Sequence, residues 1–464
     1  MPISQKKSLF SRLISCLKWD KAFIVLLLTI SLPIMLQQLV TASLHIIDGL
    51  MVSNLGDISY VAVTQASRIS WFFTLLLFGI GTGCAIFISQ FWGAKDIARI
   101  RQSMGIALIL AVTLSGIVIF GAYCFPRKLI SFFLKEGESF ELAVVYLQTV
   151  APSYLFLSID AVFSTSIKAV EKTKYPMISS VISILTNTIL NYVLIFGNFG
   201  FPALGVKGAA LATTIAAFIS MLLNIYFAYS KKLPAGASFK QFFSFDFSFF
   251  KKFLKTILPV IANEGTWALG IIMYSVVYGK MGTVAVATTG IITIISDLMW
   301  VGIFALMNAT SILVGKALGE NNPDKAYLYA KRLVTGSVVL SLVIGTILIL
   351  IRGPLVGIFS GLSLEVKDMA QTLLILTGLS MWFRTFNTIN IVGVLRSGGD
   401  TVFSLVLDAS ALWLISIPLM ALAALVWHWS LPWVYAMTLV EEFIKMAIGF
   451  PRFKNKKWIK NITI

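Results

Sequence analysis

The sequence is short of charged residues. Asp, Glu, Lys and Arg make up 12% of its 464 residues, about half of the roughly 25% that soluble domains carry. Hydrophobic residues make up 58%, and the mean hydropathy is +0.89. A soluble globular protein is therefore excluded. The composition is typical of a helical protein that crosses a membrane many times.

Cysteine and histidine are also scarce. The three cysteines, Cys16, Cys84 and Cys124, have no spacing that suggests a disulfide or a zinc site, and there are only 2 histidines. The sequence contains neither the phosphate-binding pattern Gly-x4-Gly-Lys-Ser/Thr nor the nucleophile pattern Gly-x-Ser-x-Gly. We therefore expect no enzyme, no metal and no cofactor.

Long apolar runs occupy most of the chain. About 20 apolar residues are needed for a helix to cross about 30 Å of hydrocarbon. Runs of that length predict twelve transmembrane helices, at residues 23–50, 61–90, 102–123, 142–166, 176–197, 206–229, 256–280, 286–314, 333–351, 369–394, 402–424 and 430–450. The predicted fold class is an all-α integral membrane protein.

The positive charges indicate the orientation. With the N-terminus inside, 27 of the 37 Lys and Arg fall in inside segments, 7 in outside loops and 3 within the spans. This asymmetry predicts a multi-pass protein of the plasma (inner) membrane with both termini in the cytoplasm. It also accounts for the net charge of +17 through orientation and attraction to anionic membrane lipids, so nucleic acid is not expected as a partner.

The chain contains an internal repeat. A shift of 226 residues superposes Pro33 on Pro259, Gly56 on Gly282 and Gly93 on Gly319. We therefore predict two six-helix bundles, related by a pseudo-twofold axis along the membrane normal. The predicted segments are a cytoplasmic tail 1–22, an N-terminal bundle 23–230, a basic, aromatic linker 231–255 on the inner leaflet, a C-terminal bundle 256–450 and a cytoplasmic tail 451–464.

Two motifs carry a family resemblance. The stretch PALGVKGAALAT at 202–213 and the stretch GVLRSGGDT at 393–401 resemble signatures of the multidrug and toxic compound extrusion family. The resemblance covers essentially the whole chain, and it implies a V-shaped pair of six-helix bundles. It also implies export of organic cations or other toxic compounds in exchange for protons or sodium. In the first motif, Gly208 and Ala212 are four residues apart, a spacing that favours close helix packing.

Polar residues in spans one and five form the first candidate site. A carboxylate near the bilayer centre costs about 2.5–3.5 kcal/mol, which favours a functional role for Asp48. Because Asp48 stands near the end of span one, it is alternatively an outer-interface residue. His45 precedes it by one helical turn and is a possible proton relay, or else a polar neighbour. The resemblance places Asp48, Asn187 and Asn191 at the cation-binding cluster of the N-terminal bundle. Many members have Asp where this chain has Asn191, which removes one carboxylate here.

The C-terminal bundle offers a second candidate site. Glu264 in span seven has Trp267 one turn later, so an acid and an aromatic ring share a face that suits a cation. Asp297 and Asp408 are further candidate carboxylates, and Arg384 in span ten is the expected counter-ion. Family members carry essential acids in spans seven, eight and ten, whereas span ten here has Arg384 instead. A buried Asp paired with Arg384 is equally consistent with a structural role.

Other intramembrane charges are open to a structural interpretation. Asp160 in span four, two turns before Lys168, is either an interior residue or one that reaches the interface. Glu441, Glu442 and Lys445 in span twelve lie within one turn of one another and are expected to neutralise each other.

Three functions come into consideration for this sequence. The first is a cation-coupled antiporter for small, cationic amphiphilic substrates, acting as a monomer. The second is a flippase for lipid-linked or polyprenyl phosphates, which needs a cationic cavity and finds only Arg68 and Arg384 within spans. The third is a membrane transferase, for which no reactive cluster is present. The acidic bias of the spans favours the antiporter, while the substrate and the choice between H+ and Na+ stay open.

Overall fold

The computed structural model describes residues 19–359 and 361–463, without the side chain of His45. This part of the chain is helical and contains no strand. The helices are α1 Lys21–Ser53, α2 Asp57–Gly93, α3 Ile97–Cys124, α4 Pro126–Ser131, α5 Glu138–Ala169, α6 Lys174–Phe196, α7 Gly205–Ser230, α8 Phe239–Phe242, α9 Phe247–Met281, α10 Thr283–Gly319, α11 Pro323–Gly357, α12 Leu364–Asn387, α13 Thr401–Ser410, α14 Ile417–Leu425 and α15 Leu431–Lys454. A π-helical segment Thr388–Leu395 continues α12, and a second one, Ala411–Ser416, joins α13 to α14.

The predicted fold class is confirmed. All twelve predicted spans fall on helices, and 10 helices of the described residues are long and apolar enough to cross a membrane. The two remaining spans correspond to α12 with its π-helical extension and to α15. These helices are less apolar because they carry charged residues, among them Arg384 and Lys445.

The described chain forms two compact units whose boundaries fall inside helices. The N-terminal unit comprises Pro33–Gly265. The C-terminal unit comprises the described residues from Thr266 onward together with residues 19–32. Helix α1 therefore divides at Pro33 and helix α9 at Gly265. The predicted bundles 23–230 and 256–450 begin and end between helices instead, and they stay a prediction.

Close helix approach organises the N-terminal unit. A Cβ at Gly208 of α7 would lie 2.5 Å from the Leu194 carbonyl oxygen of α6. The motif at 202–213 thus packs helices, as its spacing predicts. Helix α9 approaches α2 in the same way, because a Cβ at Gly83 would lie 2.6 Å from Ile257.

Much of the segment 231–255 packs on the N-terminal unit. Phe242 of α8 is buried, and its carbonyl oxygen contacts Gly105 so closely that no side chain would fit there. Phe253 packs against Phe87 with ring centroids 4.7 Å apart. Phe239, in contrast, is exposed. Contact with the inner leaflet is therefore expected only for the exposed aromatic rings of this segment.

The C-terminal tail docks on the turn before α13. Trp458 is fully buried, and its carbonyl oxygen contacts Gly398. The Asp400 carboxylate accepts hydrogen bonds from Arg452 Nε at 2.7 Å and from Lys460 Nζ at 2.9 Å. The motif at 393–401 therefore anchors the predicted tail 451–464 through ion pairs.

Candidate functional site

Helices α1 and α6 bring the first candidate site together. Asn191 Nδ2 donates a hydrogen bond to Asp48 Oδ1 at 2.6 Å and another to Asn187 Oδ1 at 3.0 Å. Both asparagines are buried, and they share a face of α6 because they are four residues apart. His45 lies in α1, but its side chain is outside the described residues. Three of the four predicted residues thus form one polar cluster in an apolar unit.

The Asn187 amide has two workable orientations. In one, its oxygen faces Asp48 Oδ1, and its Nδ2 lies 3.5 Å from Thr213 Oγ1. In the other, its nitrogen donates to Asp48 Oδ1 at 2.8 Å, and its oxygen accepts from the Thr213 backbone N–H at 3.3 Å. The first orientation suits a protonated Asp48, whose O–H can donate to the amide oxygen. The second suits an ionised Asp48, which accepts from both asparagines.

The same cluster offers oxygen ligands to a metal cation. The buried Asn191 Oδ1 has no hydrogen-bond partner within the described part of the chain. Asp48 and Asn187 supply further oxygens beside it. Carboxylate and amide oxygens are the ligands that hard cations prefer. No group of three or more His, Cys, Asp or Glu side chains within the described residues is arranged to hold a metal ion, so any such cation would share its shell with amides.

Glu264 belongs to the N-terminal unit. It is buried on the half of α9 that ends at Gly265. A Cβ at Gly79 of α2 would lie 3.2 Å from Glu264 Cγ, so this acid packs directly against α2. Trp267 follows after the boundary and is 40% exposed. Glu264 therefore packs within the unit Pro33–Gly265, and its role as an acid of the C-terminal bundle stays a prediction.

The acids of the C-terminal unit have partners that differ from the predicted one. Asp408 Oδ1 lies 3.5 Å from Lys445 Nζ, and Asp408 Oδ2 lies 3.9 Å from Arg396 Nη2. Arg384 forms no ion pair with any residue that the structure describes, so its predicted role as the counter-ion of Asp408 is wrong. Asp297 is exposed on α10 and likewise has no ion pair within residues 19–359 and 361–463. Helix rotation decides these pairings.

Charged residues of α15 form a network in the C-terminal unit, and its contacts with other helices were not predicted from the sequence. Lys445 Nζ lies 3.6 Å from Glu441 Oε1, as the spacing predicts, but it also reaches Asp408 on another helix. Asn387 Nδ2 donates to Glu442 Oε2 at 2.7 Å. The two π-helical segments lie next to these residues in the chain, and such segments are frequent at functional sites. Charges within span twelve were the available sequence signal.

Asp160 anchors a separate polar network on the N-terminal unit. Its Oδ1 accepts hydrogen bonds from Ser220 Oγ at 3.0 Å and from Asn224 Nδ2 at 2.8 Å. Ser179 Oγ in turn lies 3.2 Å from Asn224 Oδ1. Hydrogen bonds therefore tie helices α5, α6 and α7 together around this carboxylate.

These helices and buried polar clusters define a multi-pass α-helical membrane protein. A model of the MatE family matches residues 33–193 and again residues 260–422. The chain belongs to this family, the multidrug and toxic compound extrusion transporters, and the resemblance drawn from the two motifs is confirmed. The two matches begin 227 residues apart, in agreement with the internal repeat.

Individual relatives cover almost the whole chain. An uncharacterized transporter, YisQ, of Bacillus subtilis is 25% identical over 445 residues, which are 95% of this chain and 96% of that protein. A probable multidrug resistance protein, NorM, of Thermotoga maritima is 23% identical and covers 88% of both chains. The crystal structure of a MATE transporter in complex with MaL6 matches 96% of this chain and 99% of its own, with a TM-score of 0.85 and 20% identity. This likeness establishes the fold.

Proposed function

We propose that the protein is a secondary active exporter of small organic compounds, which it moves by alternating access in exchange for H+ or Na+. The observation that carries the proposal is the Asp48 carboxylate, held at 2.6 Å by Asn191 of another helix within a membrane span. Relatives named multidrug resistance proteins support a broad substrate range. We expect cationic amphiphiles to be the main substrates and the monomer to be the working unit.

Exchange follows from the cost of the buried charge. An ionised carboxylate within the bilayer costs about 2.5–3.5 kcal/mol on insertion scales. A proton or a bound cation removes that cost, and a cationic substrate at the same carboxylate would remove it as well. A ligand shifts a conformational equilibrium only by its differential affinity for the two states. Ion and substrate that compete for Asp48 would therefore favour different conformations, and this competition couples their movements.

Each coupling ion uses the cluster differently. Proton binding would turn the Asn187 amide so that its oxygen accepts from the protonated Asp48. Sodium binding would use the Asp48 carboxylate with the amide oxygens of Asn187 and Asn191. Glu264 is proposed as a second acid that meets the cationic part of the substrate, with Trp267 three residues further along α9.

The test is efflux of a cationic dye from proteoliposomes under an imposed proton gradient and, separately, a sodium gradient. We expect one gradient to drive efflux by the unchanged protein and Asp48→Asn to abolish that efflux. Asp57→Asn is the matched control, because this exposed acid lies nine residues along the chain at the start of α2. Wild-type efflux by a folded Asp48→Asn protein would overturn the proposal.

The proposed location is the plasma (inner) membrane with both termini in the cytoplasm. Single cysteines at the exposed positions Lys457 and Lys207 would be introduced after replacing the three native cysteines by serine. An impermeant maleimide added to intact cells should label Lys207→Cys and leave Lys457→Cys unlabelled. The reverse pattern would contradict the charge asymmetry.

A further inference from the structure

A small cavity lies within the C-terminal unit, between helices α10 and α12. Its volume of about 10 Å³ is the space that one water molecule needs. The lining residues are Ser296, Met299, Trp300, Thr377, Met381 and Arg384. The cavity has an accessible side, because four of the lining residues are half-buried: Ser296, Met299, Trp300 and Arg384.

The Arg384 guanidinium in this cavity has unused hydrogen-bond donors. Its Cζ lies 5.6 Å from the centroid of the Trp300 ring, but within the described chain it forms no ion pair and donates no side-chain hydrogen bond. A guanidinium is always charged and carries five N–H donors in a planar fork. A cation at this depth costs about as much as a carboxylate unless an anion joins it.

Nearby acids do not occupy these donors. Glu442 accepts a hydrogen bond from Asn387 at 2.7 Å, and Glu441 pairs with Lys445 at 3.6 Å. Both glutamates attract Arg384 electrostatically, yet neither carboxylate comes within the 4 Å of an ion pair. The two glutamates balance part of the positive charge of Arg384 without contacting it, so its N–H donors are open to another anion.

The lining selects the kind of anion. A carboxylate matches the guanidinium fork with two parallel hydrogen bonds. The Ser296 hydroxyl, which makes no hydrogen bond within residues 19–359 and 361–463, is a further donor. Trp300, Met299 and Met381 supply an aromatic and adaptable apolar wall. An inorganic anion has no apolar surface to pack against that wall, whereas the carbon skeleton of an organic acid does.

We propose that the Arg384–Trp300 cavity is a binding subsite for the carboxylate of an amphiphilic organic acid or zwitterion. The carboxylate lies at the accessible side of the cavity against the guanidinium, with one oxygen in the space of a single water molecule. The apolar part lies outside, along the half-buried Trp300 and Met299. Binding at this subsite does not depend on the proposed export function, but export of the bound compound does. It extends the substrate range from cations to compounds that also carry an acid.

Equilibrium binding of two matched probes tests the subsite. 1-Naphthoate and 1-naphthamide have similar size and differ in charge, and their affinities would be measured by calorimetry on the full-length protein in detergent without any ion gradient. We expect naphthoate to bind at least about tenfold more tightly. Arg384→Met should remove this preference, and Arg384→Lys should retain only part of it, since an ammonium lacks the fork. Arg68→Met is the control, because this exposed arginine lies on α2, within the other unit.

The outcomes separate the two proposals. Equal affinity of the unchanged protein for both probes, or an unchanged preference in Arg384→Met, would overturn the subsite. If Arg384→Met fails to fold, then unchanged naphthoate affinity in Arg384→Lys would overturn it equally. Asp48→Asn should bind naphthoate normally. Loss of transport in that variant concerns the export proposal alone, whereas loss of the probe preference in Arg384→Met concerns the subsite alone.

Discussion

Substitution of Gly208 by alanine should destabilise the N-terminal unit and reduce gradient-driven efflux. The new Cβ would lie 2.5 Å from the Leu194 carbonyl oxygen and 2.6 Å from its carbonyl carbon. These are backbone atoms, which cannot turn aside as a flexible side chain can. Overpacking of this kind costs about 1–3 kcal/mol. The gain in helix propensity from Gly to Ala is at most about 1 kcal/mol, and Gly208 lies in the first turn of α7.

The functional consequence follows from the position of Leu194. It lies three residues after Asn191 on α6, so moving α6 away from α7 also moves Asn191 relative to Asp48. The 2.6 Å hydrogen bond between these two residues should lengthen, and gradient-driven efflux should fall along with stability.

Thermal unfolding in detergent, together with efflux from proteoliposomes, measures both effects. A unit of this size should lose about 2–4 °C per kcal/mol. Gly116→Ala is the matched control, since a Cβ at Gly116 of α3 meets nothing within 4 Å. If Gly208→Ala melts at or above the temperature of the control and transports normally, the close approach of α6 and α7 does not constrain the Asp48 cluster.

Three further predictions concern the tail, the core and the second acid. Burial raises the pKa of Asp400, but hydrogen bonds from its two basic partners lower it below the ordinary value of 3.8. Asp400 thus adds stability above about pH 4, which is lost as the pH falls through the lowered pKa. Asp400→Asn should therefore melt below the unchanged protein at pH 7, and a gap as wide at pH 3 as at pH 7 would refute this. Trp458→Ala should cost about 3–5 kcal/mol in thermal unfolding, whereas the exposed Trp433→Ala should change little; equal effects would show that the tail is not anchored. Glu264→Gln should weaken binding of a cationic dye about tenfold, or 1.4 kcal/mol, and leave a neutral dye unaffected in equilibrium titrations; equal losses would assign Glu264 to packing.

The sequence alone determined the membrane class, the twelve spans, the repeat and the family. The spans and the family motifs depend on properties that are local along the chain, and the repeat appears when the sequence is compared with itself. A bilayer requires an unbroken apolar helix at every crossing, so the length of each apolar run predicts a span directly. The cluster of Asp48, Asn187 and Asn191 was also predicted, because the family resemblance implied all three residues and Asn187 and Asn191 are four residues apart on one helix.

Only the tertiary structure decided which charges meet and which half of a helix joins which unit. Asp408 faces Lys445 and Arg396 instead of Arg384, and Glu264 packs on α2 although its helix continues into the other unit. Helix rotation and tilt are set by packing against neighbours, mainly at small residues. Those contacts join residues far apart in the chain, so a pattern read along one helix determines that a charge is buried but not which partner it finds.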